Sequence, residues 1–152
     1  MPNKSGISFE IDGLKELEQQ VLQLTPRLAR RALARSAFAG AAIIRNEARK
    51  NARALGLRKT GNLVRGIRVK RVKTPNWRTT AIYGVGHSRK GWYGALHERG
   101  YHPRGGKTKV HNPHLRPAFD ENLERAANAV KERLDRAIRE LWPHGSKMRM
   151  YK

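Results

Sequence analysis

TPRLARRALARSAFAGAAIIRNEARKNARALG, residues 25–56, is the stretch whose reading decides the fold of this 152-residue chain. Thr25 is placed to cap a helix, and Pro26 suits its first position, where the missing N–H costs nothing. Gly56 is a suitable left-handed stop. At about 100° per residue, Leu33, Ala37, Gly40, Ala41, Ile44, Ala48 and Leu55 fall in one arc of roughly 100°. Arg27, Arg31, Arg35, Arg45, Arg49 and Arg53 fall in a second arc of roughly 80°. The pattern predicts a long bar, small and apolar on one side and arginine-rich on another, with Phe38 projecting from within the basic arc.

Working outward toward the N-terminus, Ile7, Phe9 and Ile11 alternate with polar residues and read as a short strand. Asp12 then caps a helix with an apolar face of Leu14, Leu17, Val21 and Leu24. On the other side, Leu63 to Lys73 reads as a strand whose charged face carries Arg68 and Lys70. Thr74-Pro75-Asn76 turns the chain, and Arg78 to Gly86, with Ile82 and Val85, supplies the partner of a hairpin. His87 to Pro113 is a long, charged, glycine-rich loop in which Trp92 to Glu98 is an ordered island, and loops of that length are functional or mobile. Pro117 opens a last helix with Phe119, Leu123, Ala126, Ala127, Val130, Leu134, Ala137, Ile138 and Leu141 on one face, ended by Trp142-Pro143. Its outer face pairs Glu121 with Arg125, Glu132 with Arg136 and Asp135 with Arg139.

These elements predict an α+β fold: two or three helices, one of them long, packed on a small antiparallel sheet with a long loop. They form a single domain over residues 1–142, followed by a flexible tail, 143–152. The expected core is Leu33, Ala37, Ile44, Ala48, Ile67, Val69, Ile82, Val85, Phe119, Leu123, Val130 and Leu134. A domain of this length buries roughly 70% of the surface its unfolded chain exposes.

The formal net charge is +21, and its distribution matters more than its size. Between Arg27 and Lys109, 22 Lys and Arg face two acids, Glu47 and Glu98. The same segment carries enough aliphatic and aromatic residues to fold, so it is not a disordered basic arm. A polyanion suits such a surface, and so does an acidic protein neighbour. The residues facing it are expected to be Arg27, Arg31, Arg35, Arg45, Arg49, Arg53, Arg68 and Lys70. The stripe lacks the Asn, Gln and Ser interleaving of base readout, so binding to double-stranded DNA is expected to be non-specific. Alanine opposite the charges suits packing on protein rather than a membrane surface.

Several chemistries are excluded or weakened. The absence of cysteine removes thiolate catalysis, disulfides and cysteine-bound zinc, and suits a reducing compartment such as a cytosol. There is no apolar run of signal-peptide or membrane-span length. Gly106-Lys107-Thr108 echoes the end of a phosphate-binding loop, but Tyr101 stands where its first glycine belongs. His97, His102, His111 and His114 sit among Arg104, Lys107 and Lys109, which repel a dication, so no metal and no cofactor are expected. The remaining enzymatic alternative is a small metal-independent RNase using His97, Glu98 and a nearby lysine; a free cytosolic nucleic-acid-binding protein is the other. The simpler reading of Glu98 is a structural ion pair.

A family resemblance adds to this. Gly13-Leu14-Lys15-Glu16-Leu17, the helix ending Asn46-Glu47-Ala48-Arg49-Lys50-Asn51-Ala52, and Thr60-Gly61-Asn62-Leu63 followed by Ile67-Arg68-Val69 resemble the tail-component or tail-completion family of long-tailed bacteriophages. Tyr93-Gly94-Ala95-Leu96-His97-Glu98-Arg99-Gly100 and His114-Leu115-Arg116-Pro117-Ala118-Phe119 resemble further motifs of that family, in the same order. The resemblance implies an α+β subunit without catalytic duty, assembled as a homo-oligomeric ring at the neck of the virion, where head meets tail. Its implied neighbours are head-completion, tail-terminator or tail-tube proteins, with DNA passing through the lumen, no membrane, and assembly in the host cytoplasm.

Overall fold

The computed structural model describes residues 14–57, 59–76 and 80–141. The expected strand at Ile7–Ile11, the Asp12 cap, the Trp142-Pro143 stop and the tail lie outside these residues. Helix α1 (Leu14–Gln23) leads through Thr25 into the long helix α2 (Pro26–Ala54). A one-turn helix α3 (Asn62–Gly66) precedes strands β1 (Ile67–Val72) and β2 (Ile82–His87). A 3₁₀ turn at Arg89–Gly91 and the short helix α4 (Gly94–Arg99) follow, and α5 (Leu115–Leu141) closes the fold. The class is α+β, as the periodicities predict.

Helices α2 and α5 form the frame and run antiparallel. Near one end, Ala29 and Ala32 bury with Leu134, Ala137 and Ile138, and α1 adds Leu17, Val21 and Leu24. Near the other, Ala48 and Ala52 bury with Ala118, Leu63, Val64 and Ile67. The buried line of α2 is Ala29, Ala32, Ser36, Gly40, Ile44, Ala48 and Ala52, a row of mostly small residues at spacings of three and four. Such a row lets helix axes approach closely. At Gly40 the approach is limiting: a Cβ there would stand 2.6 Å from Val130 Cγ2 and 3.0 Å from the Ala126 carbonyl oxygen.

Several expectations need correction. The apolar arc is rotated, so Leu55 is exposed while Ser36 is buried and donates to the Leu33 carbonyl at 3.0 Å. Thr25 begins the helix but makes no side-chain cap; Gly56 does take a left-handed φ of 71°. Leu63 is helical rather than extended, because α3 turns Leu63 and Val64 into the core before β1 begins at Ile67. Burying each of these large side chains stabilises by about 1.5–3 kcal/mol. Ile82 and Phe119 are 44% and 46% exposed, so they are not core; both line an open groove between α2, α5 and β2. On α5, Arg125 reaches across to Glu47 at 3.2 Å rather than pairing along its own helix with Glu121, whereas Asp135 and Arg139 do pair, at 2.9 Å.

The hairpin is antiparallel, with Arg68 opposite Gly86, Val69 opposite Val85 and Lys70 opposite Gly84. The long loop is more structured than its composition predicts. Beyond α4, Tyr101 and Val110 exchange backbone hydrogen bonds of 2.9 and 2.8 Å, pinching residues 102–109 into an exposed excursion.

Candidate polyanion interface

The six arginines of α2 do not share one environment. Arg27 and Arg31 are exposed near its start. Arg35 is already paired, 3.3 Å from Glu140 Oε2. Arg45 donates from Nε and Nη2 to the side-chain oxygen of its neighbour Asn46, at 3.1 and 2.9 Å. Arg49 has a structural role. Its Nε and Nη2 donate to the Ile67 carbonyl at 3.1 and 2.8 Å, and Nη2 lies 3.4 Å from the Arg65 carbonyl. It fixes the hairpin to the long helix through the outward carbonyl at the start of β1. Burial first, then repulsion from Arg45, Arg53 and Arg68, lowers its pKa, though a guanidinium stays charged throughout the working pH range. That repulsion places Arg45, Arg49, Arg53 and Arg68 in one field at the far end of the helix from Arg31, about 27 Å away at 1.5 Å per residue.

Beside this end lies a basin of about 490 Å³ lined by Asn62, Arg65, Gly66, Arg68, Lys70, Ser88, Arg89 and Lys90. Five of these eight residues are cations and none is an acid. Two glycines bring the strands of sequence together. A Cβ on Gly91 would meet the Asn62 carbonyl oxygen at 3.1 Å, and one on Gly66 would meet Ser88 Oγ at 2.9 Å. Only because both are glycine does the Arg89–Gly91 turn lie against α3, which delivers Arg89 and Lys90 to Arg68 and Lys70. Arg65 folds back on its own turn, donating to the Thr60 and Gly61 carbonyls. Arg68, Lys70, Arg89 and Lys90 are exposed. Across the hairpin, Lys70 and Arg68 face Gly84 and Gly86, so β2 raises no side chain beside them.

Of the residues expected to face a polyanion, Arg68 and Lys70 therefore line this basin, and Arg45 and Arg53 adjoin it through Arg49. Arg49 supports it from behind, and Arg27, Arg31 and Arg35 lie apart. Sequence reasoning missed Arg65, Arg89 and Lys90. The available signal was the pair of glycines flanking two basic runs.

The histidine-rich region is built differently from an acid–base site. Glu98 accepts backbone N–H bonds from His114 and Leu115 on Oε2, both 2.9 Å, and from Arg116 on Oε1 at 2.8 Å. It caps the start of α5 from sixteen to eighteen residues away, satisfying donors that a helix start otherwise leaves orphaned. Burial alone would raise its pKa, but the three N–H bonds and the nearby His114 ring hold it below the usual carboxylate value. His114 is fully buried; its Nδ1 lies 3.1 Å from the Asn112 carbonyl and its Nε2 lies 2.7 Å from His87 Nε2. An acceptor at Nδ1 requires the proton there, so in the neutral pair His87 donates and His114 accepts. Burial, then the His114 ring, pushes the pKa of both His87 and His97 down. His97 Nδ1 is buried without a hydrogen-bond partner. Among the described residues no three His, Asp or Glu side chains converge as a metal site, and no described helix is long and apolar enough to cross a membrane.

A family model described as "Bacteriophage HK97-gp10, putative tail-component" matches residues 15–100, more than half of the chain. The chain belongs to this family of phage tail components. The match takes in α1, α2, the hairpin and every residue of the basin, and stops at the end of α4. No curated protein and no solved structure matches the chain.

Proposed function

We propose that this tail component is a non-catalytic structural protein of the virion neck. In this reading it completes the tail or joins it to the DNA-filled head as a subunit of a homo-oligomeric ring, and turns the basin and Arg53 toward double-stranded DNA. The observation that carries the DNA contact is the basin itself, a concavity with exposed cations, no acid and a strand of glycines beside them. Concave single-sign charge concentrates a polyanion by field alone, and arginine binds phosphate bidentately. Arg68, Lys70, Arg89 and Lys90 of the lining are exposed cations, which meet phosphate without regard to base, so the contact is read as one with the backbone.

Ring assembly is supported by a second depression of about 490 Å³, lined by Ile43, Glu121, Glu124, Arg125, Asn128, Ala129 and Glu132. Three glutamates against one arginine give it the opposite sign to the basin region. Unlike surfaces on one subunit suit head-to-tail contacts, which close into rings. Trp92, 63% exposed, suits contact with a neighbouring head-completion, tail-terminator or tail-tube protein. The non-catalytic reading rests on Glu98, whose oxygens are occupied by backbone donors rather than left for proton transfer.

Particles assembled with Arg53→Glu/Arg68→Glu/Lys70→Glu protein test the proposal. Heads and tails are expected to join, with infectivity reduced through loss of DNA retention or passage. Wild-type infectivity would contradict the DNA contact, and a particle map showing the protein away from the neck would contradict its placement.

A further inference from the structure

The exposed positions of Ile82 and Phe119 belong to an apolar groove of about 1240 Å³ between α2, α5 and β2. Ala37 and Ala41 of α2, Leu123, Ala127 and Val130 of α5, and Ile82 of β2 form its walls. Two further features bear on its occupant. First, one side of the groove is a strand edge. The Ser88 N–H bonds the Gly66 carbonyl at 2.7 Å, which sets the ladder: Arg68 with Gly86 and Lys70 with Gly84 are the hydrogen-bonded pairs, so the Tyr83 and Val85 amides point away from β1. Arg49 covers the corresponding outward carbonyl of β1 at Ile67, whereas among the described residues nothing pairs with the edge of β2. Second, α1 packs on the same two helices, and its first turn lies at the level of α5 where the groove's lining begins, at Ala127 and Val130. Leu24 leads into the start of α2 beside the end of α5, while Glu16 and Leu17 sit back along α5 beside Asn128 and Lys131.

We propose that the groove is the docking site of the segment Ile7–Ile11 of the same chain, added as a third strand along β2. From the Asn128 level to Phe119 is nine residues of helix, about 14 Å. The seven residues from Ile7 to Gly13 reach about 23 Å when extended, so the segment spans the groove from its own helix. Ile7, Phe9 and Ile11 alternate with Ser8 and Glu10, which turns three apolar side chains toward α2 and α5 and the polar ones outward. Docking would also relieve two liabilities, a two-stranded sheet of marginal stability and an unpaired edge beside an apolar surface.

The chain has no cysteine, so a nitroxide on Ser8→Cys labels the outward side of the segment alone. The Tyr83 and Val85 amide signals of the labelled protein are expected to broaden, and to recover when the nitroxide is reduced. Adding Phe9→Asp should abolish the broadening and speed exchange of those two amides by about tenfold or more. The Ala48 and Ala52 amides report that the rest of the fold persists. An absence of broadening in the labelled chain overturns the proposal, as does broadening that survives Phe9→Asp. In an equal mixture of labelled unenriched and unlabelled ¹⁵N-enriched protein, broadening of the enriched copy would overturn it in favour of a segment donated by a second copy.

Discussion

The first and second halves of α2 carry the same alternation of alanine and arginine but do different work. In the first half, Ala29, Ala32 and Ser36 bury among α1 and the end of α5, Arg27 and Arg31 are exposed, and Arg35 pairs with Glu140. In the second, Ala48 and Ala52 bury against α3 and β1, and Arg49 meets the backbone of the hairpin beside a basic basin. Helical periodicity sets which face a residue occupies. What that face meets is decided by elements elsewhere in the chain, here the hairpin and two close-packed glycines.

The largest expected break in this comparison comes from truncating one arginine in each half. Arg49→Ala removes a charged donor from two backbone carbonyls and is expected to cost about 1.5–3 kcal/mol in denaturant unfolding. Arg31→Ala, on an exposed face, should stay within about 0.5 kcal/mol. Equal costs would mean that the Arg49 contacts contribute nothing.

A smaller effect is expected where the basin is assembled. Gly91→Ala places a methyl 3.1 Å from the Asn62 carbonyl oxygen, and such overpacking costs about 1–3 kcal/mol. The Arg89–Gly91 turn must move off α3, so this variant should also weaken polyanion binding. Lost stability with unchanged binding would show that Arg89 and Lys90 are not part of the interface.

Acid should separate the two ends of the molecule further. The pKa values of His87, His97 and Glu98 are all lowered in the folded protein, so the unfolded chain binds more protons as pH falls and stability declines. The His87–His114 contact, faced by His97 and Glu98, loses its contribution as pH drops below the ordinary histidine value of 6.5, and Glu98 follows below its ordinary 4.5. Hydrogen exchange should show the start of α5 and β2 opening before the α1–α2 end. Uniform loss, or no loss between pH 7.5 and 5.5, would contradict this. Arg35→Ala, which removes a surface pair with Glu140, should cost only about 0.2–1 kcal/mol.

The architecture was legible because it is carried by local signals: Thr25-Pro26 and Gly56 bound α2, and Pro75-Asn76 lies in the hairpin turn. What was not legible is tertiary. Leu63 sits in a pattern that fits a strand, and only its burial beneath α2 makes α3 a helical turn. Glu98 was readable as an isolated acid but not as the cap of a helix that begins at Leu115, since the three N–H groups it accepts come from another element. Arg31 and Arg49, five full turns apart, are indistinguishable by helical angle. The hairpin and its glycine-packed turn, not the stripe, separate them.

Binding of mixed-sequence duplex DNA between about 50 and 200 mM salt tests the central claim, that the basin end rather than the whole stripe meets a polyanion. With five or six phosphates met, the log–log slope is expected near −5, at ~0.9 per phosphate. Arg68→Ala/Lys70→Ala/Lys90→Ala should reduce it to about −2, whereas Arg27→Ala/Arg31→Ala should leave it near −5. A slope that survives the basin substitutions, or falls as far with the Arg27 and Arg31 pair, would contradict the account.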